Sequence, residues 1–185
     1  MELFDLYTPE RVLTGKSMVR GDRLPDGLWR LVVRIAVFGD DGRMLIQKRT
    51  DTKSFMPGKW DMSAAGSVVL GEDSRTAIIR ETREEIGIDL ADSDFRIIST
   101  MYMHRKNGSG IFEDIYIVRM TPDLSGLTLQ KEEVEAVRWA DEKEIISLIQ
   151  SGEFIPFRPE FIRFMFAVGT SGDMKVHLGD MKVHL

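Results

Sequence analysis

Residues 80–87 read RETREEIG and gather three carboxylates, Glu81, Glu84 and Glu85, within little more than one helical turn. On a helix Glu81 faces Glu84 at i,i+3 and Glu85 at i,i+4, and each like-charge pair costs about 0.2–0.5 kcal/mol. Gly87 follows as a stop signal. The acids therefore crowd the negative end of the helix dipole, which favours cations. One reading is a solvated helix face, with Arg80 paired to Glu84 at i,i+4 and Arg83 among the acids. The other is a concentrated anionic patch that a hard divalent cation neutralises. Such ions take oxygen ligands, typically a few carboxylates with waters and substrate phosphates. A bound cation removes the mutual repulsion and the dipole penalty together.

The elements that must position these acids follow from periodicity. LWRLVVRIAVF (28–38) is rich in β-branched residues and predicts a buried strand, and RMLIQKR (43–49) returns from the turn GDDG as its hairpin partner. TDTKSFMPGKW (50–60) is a loop, and DMSAAGSVV (61–69) a short strand containing Gly66. RTAIIRETREEI (75–86) is the acid-bearing helix, with Asp73 or Ser74 as its N-cap and an apolar stripe of Ile78, Thr82 and Ile86. FRIISTMYM (95–103), IFEDIYIVRM (111–120) and VEAVRWA (134–140) predict further strands, and 141–152 and 159–169 two C-terminal helices. Residues 1–27 read as an arm broken by Gly15, Gly21, Pro25 and Gly27. Strands with few, dispersed helices predict an α+β sandwich rather than a doubly wound sheet.

Composition sets outer bounds. The chain has 185 residues, 43% of them hydrophobic, which is enough for one domain with a substantial core. A net charge of −5 argues against a nucleic-acid binder, which needs a basic face. No cysteine is present, so disulfides, thiolate ligands and cysteine nucleophiles are excluded. No signal peptide and no membrane span are legible, and the expectation is a cytoplasmic protein that does not contact the membrane. We read residues 1–170 as a single domain, followed by a tail at 171–185 in which GDMKVHL occurs at 172–178 and again at 179–185. Two copies cannot build a repeat architecture. The tail histidines, His177 and His184, lack the clustered further ligands that a metal site needs.

The stretch GSVVLGEDSRTAIIRETREEIGI (66–88) resembles the Nudix box, Gly-x5-Glu-x7-Arg-Glu-U-x-Glu-Glu-x-Gly-U, where U is an aliphatic residue. Gly66, Glu72, Arg80, Glu81, Glu84, Glu85 and Gly87 fill all seven fixed positions, and Ile88 fits the last U. A chance match at one start is on the order of 1 in 10⁸ from residue usage. Thr82 departs from the first U, where a methyl can still pack, so a local packing change with intact chemistry is expected. The resemblance extends over roughly 28–165, through PGKW and VEAVRWADEKEI, and the N-terminal arm is similar to the branch containing isopentenyl diphosphate isomerase and its hydrolase relatives. The implied fold is an α/β/α sandwich with a mixed sheet and the box as loop–helix–loop.

The resemblance implies an enzyme that hydrolyses a diphosphate linkage in a small molecule with Mg²⁺, or Mn²⁺ in its place, and a homodimer as a candidate assembly. Glu81, Glu84, Glu85 and the Gly66 carbonyl are the implied metal ligands. Arg80 is the implied orienting residue, while Glu72 and Gly87 hold the surrounding structure. The general base is left open between Glu81 and Glu113, the latter on the strand IFEDIYIV. Lys48, Arg49, Lys53 and Lys59 are candidate phosphate contacts. Trp29, Phe55, Trp60 and Tyr102 could stack on a base or fill the core, with core packing the better assignment for Trp60. Two alternatives remain. A nucleotide-sensing module without catalysis usually lacks box acids, and all are present here. An isomerase needs a cysteine before the box glycine and histidine ligands, where this chain has Ala65 and Trp29.

Overall fold

The computed structural model describes residues 2–171. The duplicated GDMKVHL tail, with His177 and His184, lies outside the described residues.

Strand β3 (Trp29–Phe38) is the hub of the fold. It runs parallel to β8 (Gly110–Arg119) along its whole length and antiparallel to β6 (Ala64–Ser67) and β4 (Met44–Arg49). β7 (Arg96–His104) pairs with β8, and β9 (Val134–Ala140) with β4. Its apolar residues alternate between two cores, as period-2 geometry demands. Leu31, Val33, Ile35 and Val37 pack towards the helix α1 (Ser74–Ile86). Ala36 and Phe38 pack towards α2 (Glu142–Gln150) and α3 (Pro159–Thr170). The result is the expected α+β sandwich, one mixed sheet between two helical layers.

The same alternation explains where the open space lies. Arg30, Val32 and Arg34 share a face with Ala36 and Phe38, but α2 and α3 cover only the far end of that face. The near end is left as a cleft of about 760 Å³ lined by these three residues.

Two stretches differ from the sequence expectation. The segment 61–69 is not one strand: β5 (Trp60–Asp61) pairs with β4, and β6 pairs with β3. Ser63, buried at the crossover, donates to the Leu45 carbonyl at 2.6 Å and accepts the Val37 N–H at 2.8 Å, inserting its hydroxyl between the two strands. The N-terminal arm is a hairpin of β1 (Leu3–Tyr7) and β2 (Leu13–Val19), joined to the main sheet where Tyr7 pairs with Trp29. In its turn Arg11 has φ 62°, a left-handed conformation uncommon for this residue type. Its guanidinium grips the buried Asp114 carboxylate at 2.8 and 2.5 Å. Asp114 also accepts the hydroxyls of Thr100 at 2.7 Å and of Ser74, the first residue of α1, at 2.5 Å. One carboxylate thus ties the hairpin to the start of the acid-bearing helix.

Close packing decides one substitution against propensity. In α3, a Cβ at Gly169 would overlap the Phe38 ring. Alanine gains about 1 kcal/mol in helix propensity, whereas overpacking costs about 1–3 kcal/mol. Gly169→Ala is therefore expected to lower stability in urea denaturation; a gain would show that α3 is loosely seated.

Candidate active site

Asp73 caps α1 by accepting the Thr76 N–H at 2.7 Å, and Gly87, at φ 73°, ends it with its N–H on the Arg83 carbonyl at 3.0 Å. Gly87 also lies against Thr128, where a Cβ would sit 2.8 Å from the backbone nitrogen. Ile78, Thr82 and Ile86 are buried, as the stripe predicts. Thr82 meets its apolar site by turning its hydroxyl back to the Ile78 carbonyl at 2.6 Å. The register that buries this stripe also buries Glu81 and Glu85, while Glu84 stays in solvent.

Glu85 is the unusual group. One of its oxygens accepts the Ala65 N–H and the Gln47 side-chain amide, each at 3.0 Å. No cation pairs with it among the described residues. Burial, with Glu81 and Asp61 adding to it, pushes its pKa up to about 7 against the pull of the two hydrogen bonds. Burial also raises the pKa of Glu81, with Arg80 opposing and Glu84 reinforcing the shift.

Arg80 organises the rest. Its guanidinium forks onto Glu72 at 2.8 and 2.9 Å and reaches Glu81 at 2.8 Å, Glu84 at 3.2 Å and the Ser67 carbonyl at 3.0 Å. Glu72, held below the usual carboxylate range chiefly by Arg80, also accepts the Val69 N–H at 3.2 Å and so fixes the loop before the helix. Gly66 lines the same space. A Cβ there would fall inside the Glu81 carboxyl group, so only glycine leaves room for it.

The facing wall is built around Arg34, a buried cation between two buried acids. It donates to Glu113 at 2.8 Å and pairs with Asp61. Burial opposes its charge, but the two acids outweigh burial and raise its pKa. Glu113 thus enters the cleft as a buried, ion-paired group rather than an exposed strand residue. Arg49 and Lys53 also line the cleft. Arg49 is held by the Phe55 carbonyl at 3.2 and 3.0 Å, and Lys53 by Glu133.

Lys48 and Lys59 are not brought to the cleft. Lys48 is instead paired with Glu135 of β9 at 2.8 Å. Lys59 is spent on the Gly152 carbonyl. Trp29 is a core residue, its ring 4.6 Å from that of Phe112. Trp60 is half-buried beneath Arg138, and Tyr102 meets Phe112 edge-on. Phe55 alone of the four nominated aromatics lines the cleft. Sequence reasoning passed over Gln47, Arg34, Asp61 and Arg30. The signal for two of them was visible: a polar residue inside the apolar runs LVVRIAVF and MLIQKR must find a partner when buried.

Among the described residues no three acidic or imidazole groups form a closed metal cluster. Mg²⁺ does not need one, because it keeps waters and uses one or two carboxylates plus substrate phosphates. Hard oxygen donors, two of them buried and one without a cation, fit such an ion. Glu81, Glu85 and the exposed Glu84 would hold it.

A profile of the NUDIX domain matches residues 28–164. The chain is 42% identical over 157 residues to an uncharacterized Nudix hydrolase of Listeria monocytogenes, covering 85% of this chain and 90% of that one. It is 31% identical over 117 residues to the isopentenyl-diphosphate Delta-isomerase of Cutibacterium acnes, covering 60% of this chain and 59% of that one. In fold it is similar to a solved structure from Deinococcus radiodurans, with a TM-score of 0.72 at 22% identity over 88% of this chain and 98% of that one.

The raised pKa of Glu85 carries a pH signature. Between the ordinary value of 4.5 and about 7 the metal-free folded state binds more protons at this site than the unfolded chain. The contribution of Glu85 to stability therefore falls as pH rises through that window. Urea denaturation in chelator should record this slope, Glu85→Gln should flatten it, and Mg²⁺ should restore stability near neutral pH. An unchanged slope in Glu85→Gln would place the titration elsewhere.

Proposed function

We propose that this chain, a Nudix hydrolase that belongs to the Nudix family, uses Mg²⁺ to cleave a diphosphate linkage in a nucleoside diphosphate derivative or a related organic diphosphate. The observation that carries this is the pairing of a buried, cation-free carboxylate, Glu85, with a cleft whose walls supply cationic side chains. The metal, when bound, supplies charge neutralisation at the phosphoryl oxygens and a lowered pKa for attacking water.

The chain's own residues divide the remaining work. Arg80 fixes the directions of Glu81 and Glu84 and holds the preceding loop through Glu72. Glu81 is the favoured base: Arg80 bonds only its Oε1, and burial raises its affinity for a proton. Glu113 is the second candidate, already fixed by Arg34. Phe55, exposed at the cleft, offers a face for stacking.

Two other readings have less support. A sensing module has no need of the complete acid set. An isomerase needs a proton donor where Ala65 stands and an imidazole where Trp29 is sealed in the core.

A panel of diphosphate compounds, assayed with and without Mg²⁺, tests the proposal. At least one should be cleaved only with metal, and Glu84→Gln should lower its turnover by about 10²-fold or more. Binding without cleavage would favour the sensing module. Conversion of isopentenyl to dimethylallyl diphosphate would overturn the inference from Ala65.

A further inference from the structure

The charges along the cleft do not balance evenly. Eight cationic side chains line it: Arg20, Arg23, Arg30, Arg34, Arg49, Lys53, Arg80 and Arg105. Six have carboxylate partners: Arg20 with Glu2, Arg23 with Asp26, Arg34 and Arg49 with Asp61, Lys53 with Glu133, and Arg80 with the box acids. Arg30 and Arg105 have none among the described residues. The nominated phosphate contacts Arg49 and Lys53 are thus already neutralised, and the spare positive charge lies on Arg30 and Arg105.

Arg30 is half-buried on β3. Its guanidinium lies 5.5 Å from the centre of the Phe4 ring and donates to the Ser67 hydroxyl at 3.0 Å. Arg20, from the end of the N-terminal hairpin, reaches the same ring at 5.8 Å. Arg105 follows β7 in a turn closed by its own N–H on the Ser109 carbonyl at 2.8 Å. Burial, together with the like charges of Arg105 and Arg20, lowers the pKa of Arg30, the signature of a cation held without an anion. Ser67 adjoins Gly66 and therefore the Glu81 carboxyl. Its hydroxyl accepts from Arg30 and retains a proton to donate.

We propose that Arg30 and Arg105, with the Ser67 hydroxyl and with Arg20 at the rim, form a subsite for the free terminal phosphate of the substrate. This rests on the diphosphate hydrolase reading and narrows it to substrates with one unesterified end, such as nucleoside diphosphates and organic monoester diphosphates. A terminal phosphate carries about −1.5 to −2 near neutral pH. Two unpaired guanidinium groups match that charge, whereas an internal phosphate, esterified on both sides, supplies only about half of it. The planar forks of arginine suit phosphate oxygens, and neither residue has a carboxylate partner among the described residues.

Calorimetry with α,β-methylene analogues, which resist cleavage at the linkage, tests the subsite. Analogues of ADP and UDP have a free terminal phosphate; those of ADP-ribose and UDP-glucose have both ends esterified. With Mg²⁺ present, the protein should bind the first pair at least about 10-fold more tightly. Arg30→Gln should weaken the first pair about 10-fold and the second less than about 3-fold. Arg105 is exposed, so Arg105→Gln reads the same preference without risk to folding. Equal losses for both pairs, no loss for either, or no preference in the parent protein would overturn the subsite. Turnover on the diphosphate panel, measured alongside, separates the two failures. Cleavage without the preference removes the subsite alone; no cleavage of any compound removes the hydrolase reading and the subsite with it.

Discussion

A carboxylate buried without a cation is the constraint on which the rest of this structure turns. Glu85 fills the outer edge of β6, where its oxygen accepts the Ala65 N–H and the Gln47 amide. Two hydrogen bonds orient the group but do not compensate its charge, and burial raises its pKa to about 7. Near neutral pH the site therefore stands between a protonated acid and an anion in need of a partner. Glu81, four residues earlier on the same helix face, is subject to the same pressure. A divalent ion would resolve both conflicts, which a salt-bridged surface helix would not present.

The surrounding architecture serves to hold that conflict in place. Asp114 anchors the first turn of α1 and the N-terminal hairpin to the sheet. Arg80 anchors the last turns and the loop through Glu72, Glu81 and the Ser67 carbonyl. Gly66 supplies the space for the Glu81 carboxyl by having no side chain. The alternation along β3 then places Arg30 and Arg34 on the uncovered part of the second sheet face. That part of the cleft therefore carries arginines because of the same strand geometry that fills the cores with valine and isoleucine.

Much of this was legible in the amino-acid order. The helix at 74–86 and its Asp73 cap follow from local spacing, and the seven box positions identified the family before any coordinates. What escaped was non-local or weakly patterned. The hairpin at 3–19 was obscured because β2 is mostly exposed and interrupted by Gly15, which dilutes alternation. The break between β5 and β6 depends on where Ser63 finds its partners, and neither partner is near in sequence. Arg34 joins Asp61 and Glu113 across three strands, and Arg30 approaches Arg105 from another element, so only the folded chain shows which cations are spent and which are free.

The most direct measurement is Mn²⁺ binding followed by electron paramagnetic resonance, in the parent protein and in a variant carrying both Glu81→Gln and Glu85→Gln, with the fold of each checked by circular dichroism. Free Mn²⁺ signal should be lost on adding the parent protein and should persist with the folded double variant. Equal uptake by both proteins, or none by either, would mean that the buried acids of this helix are not held for a cation.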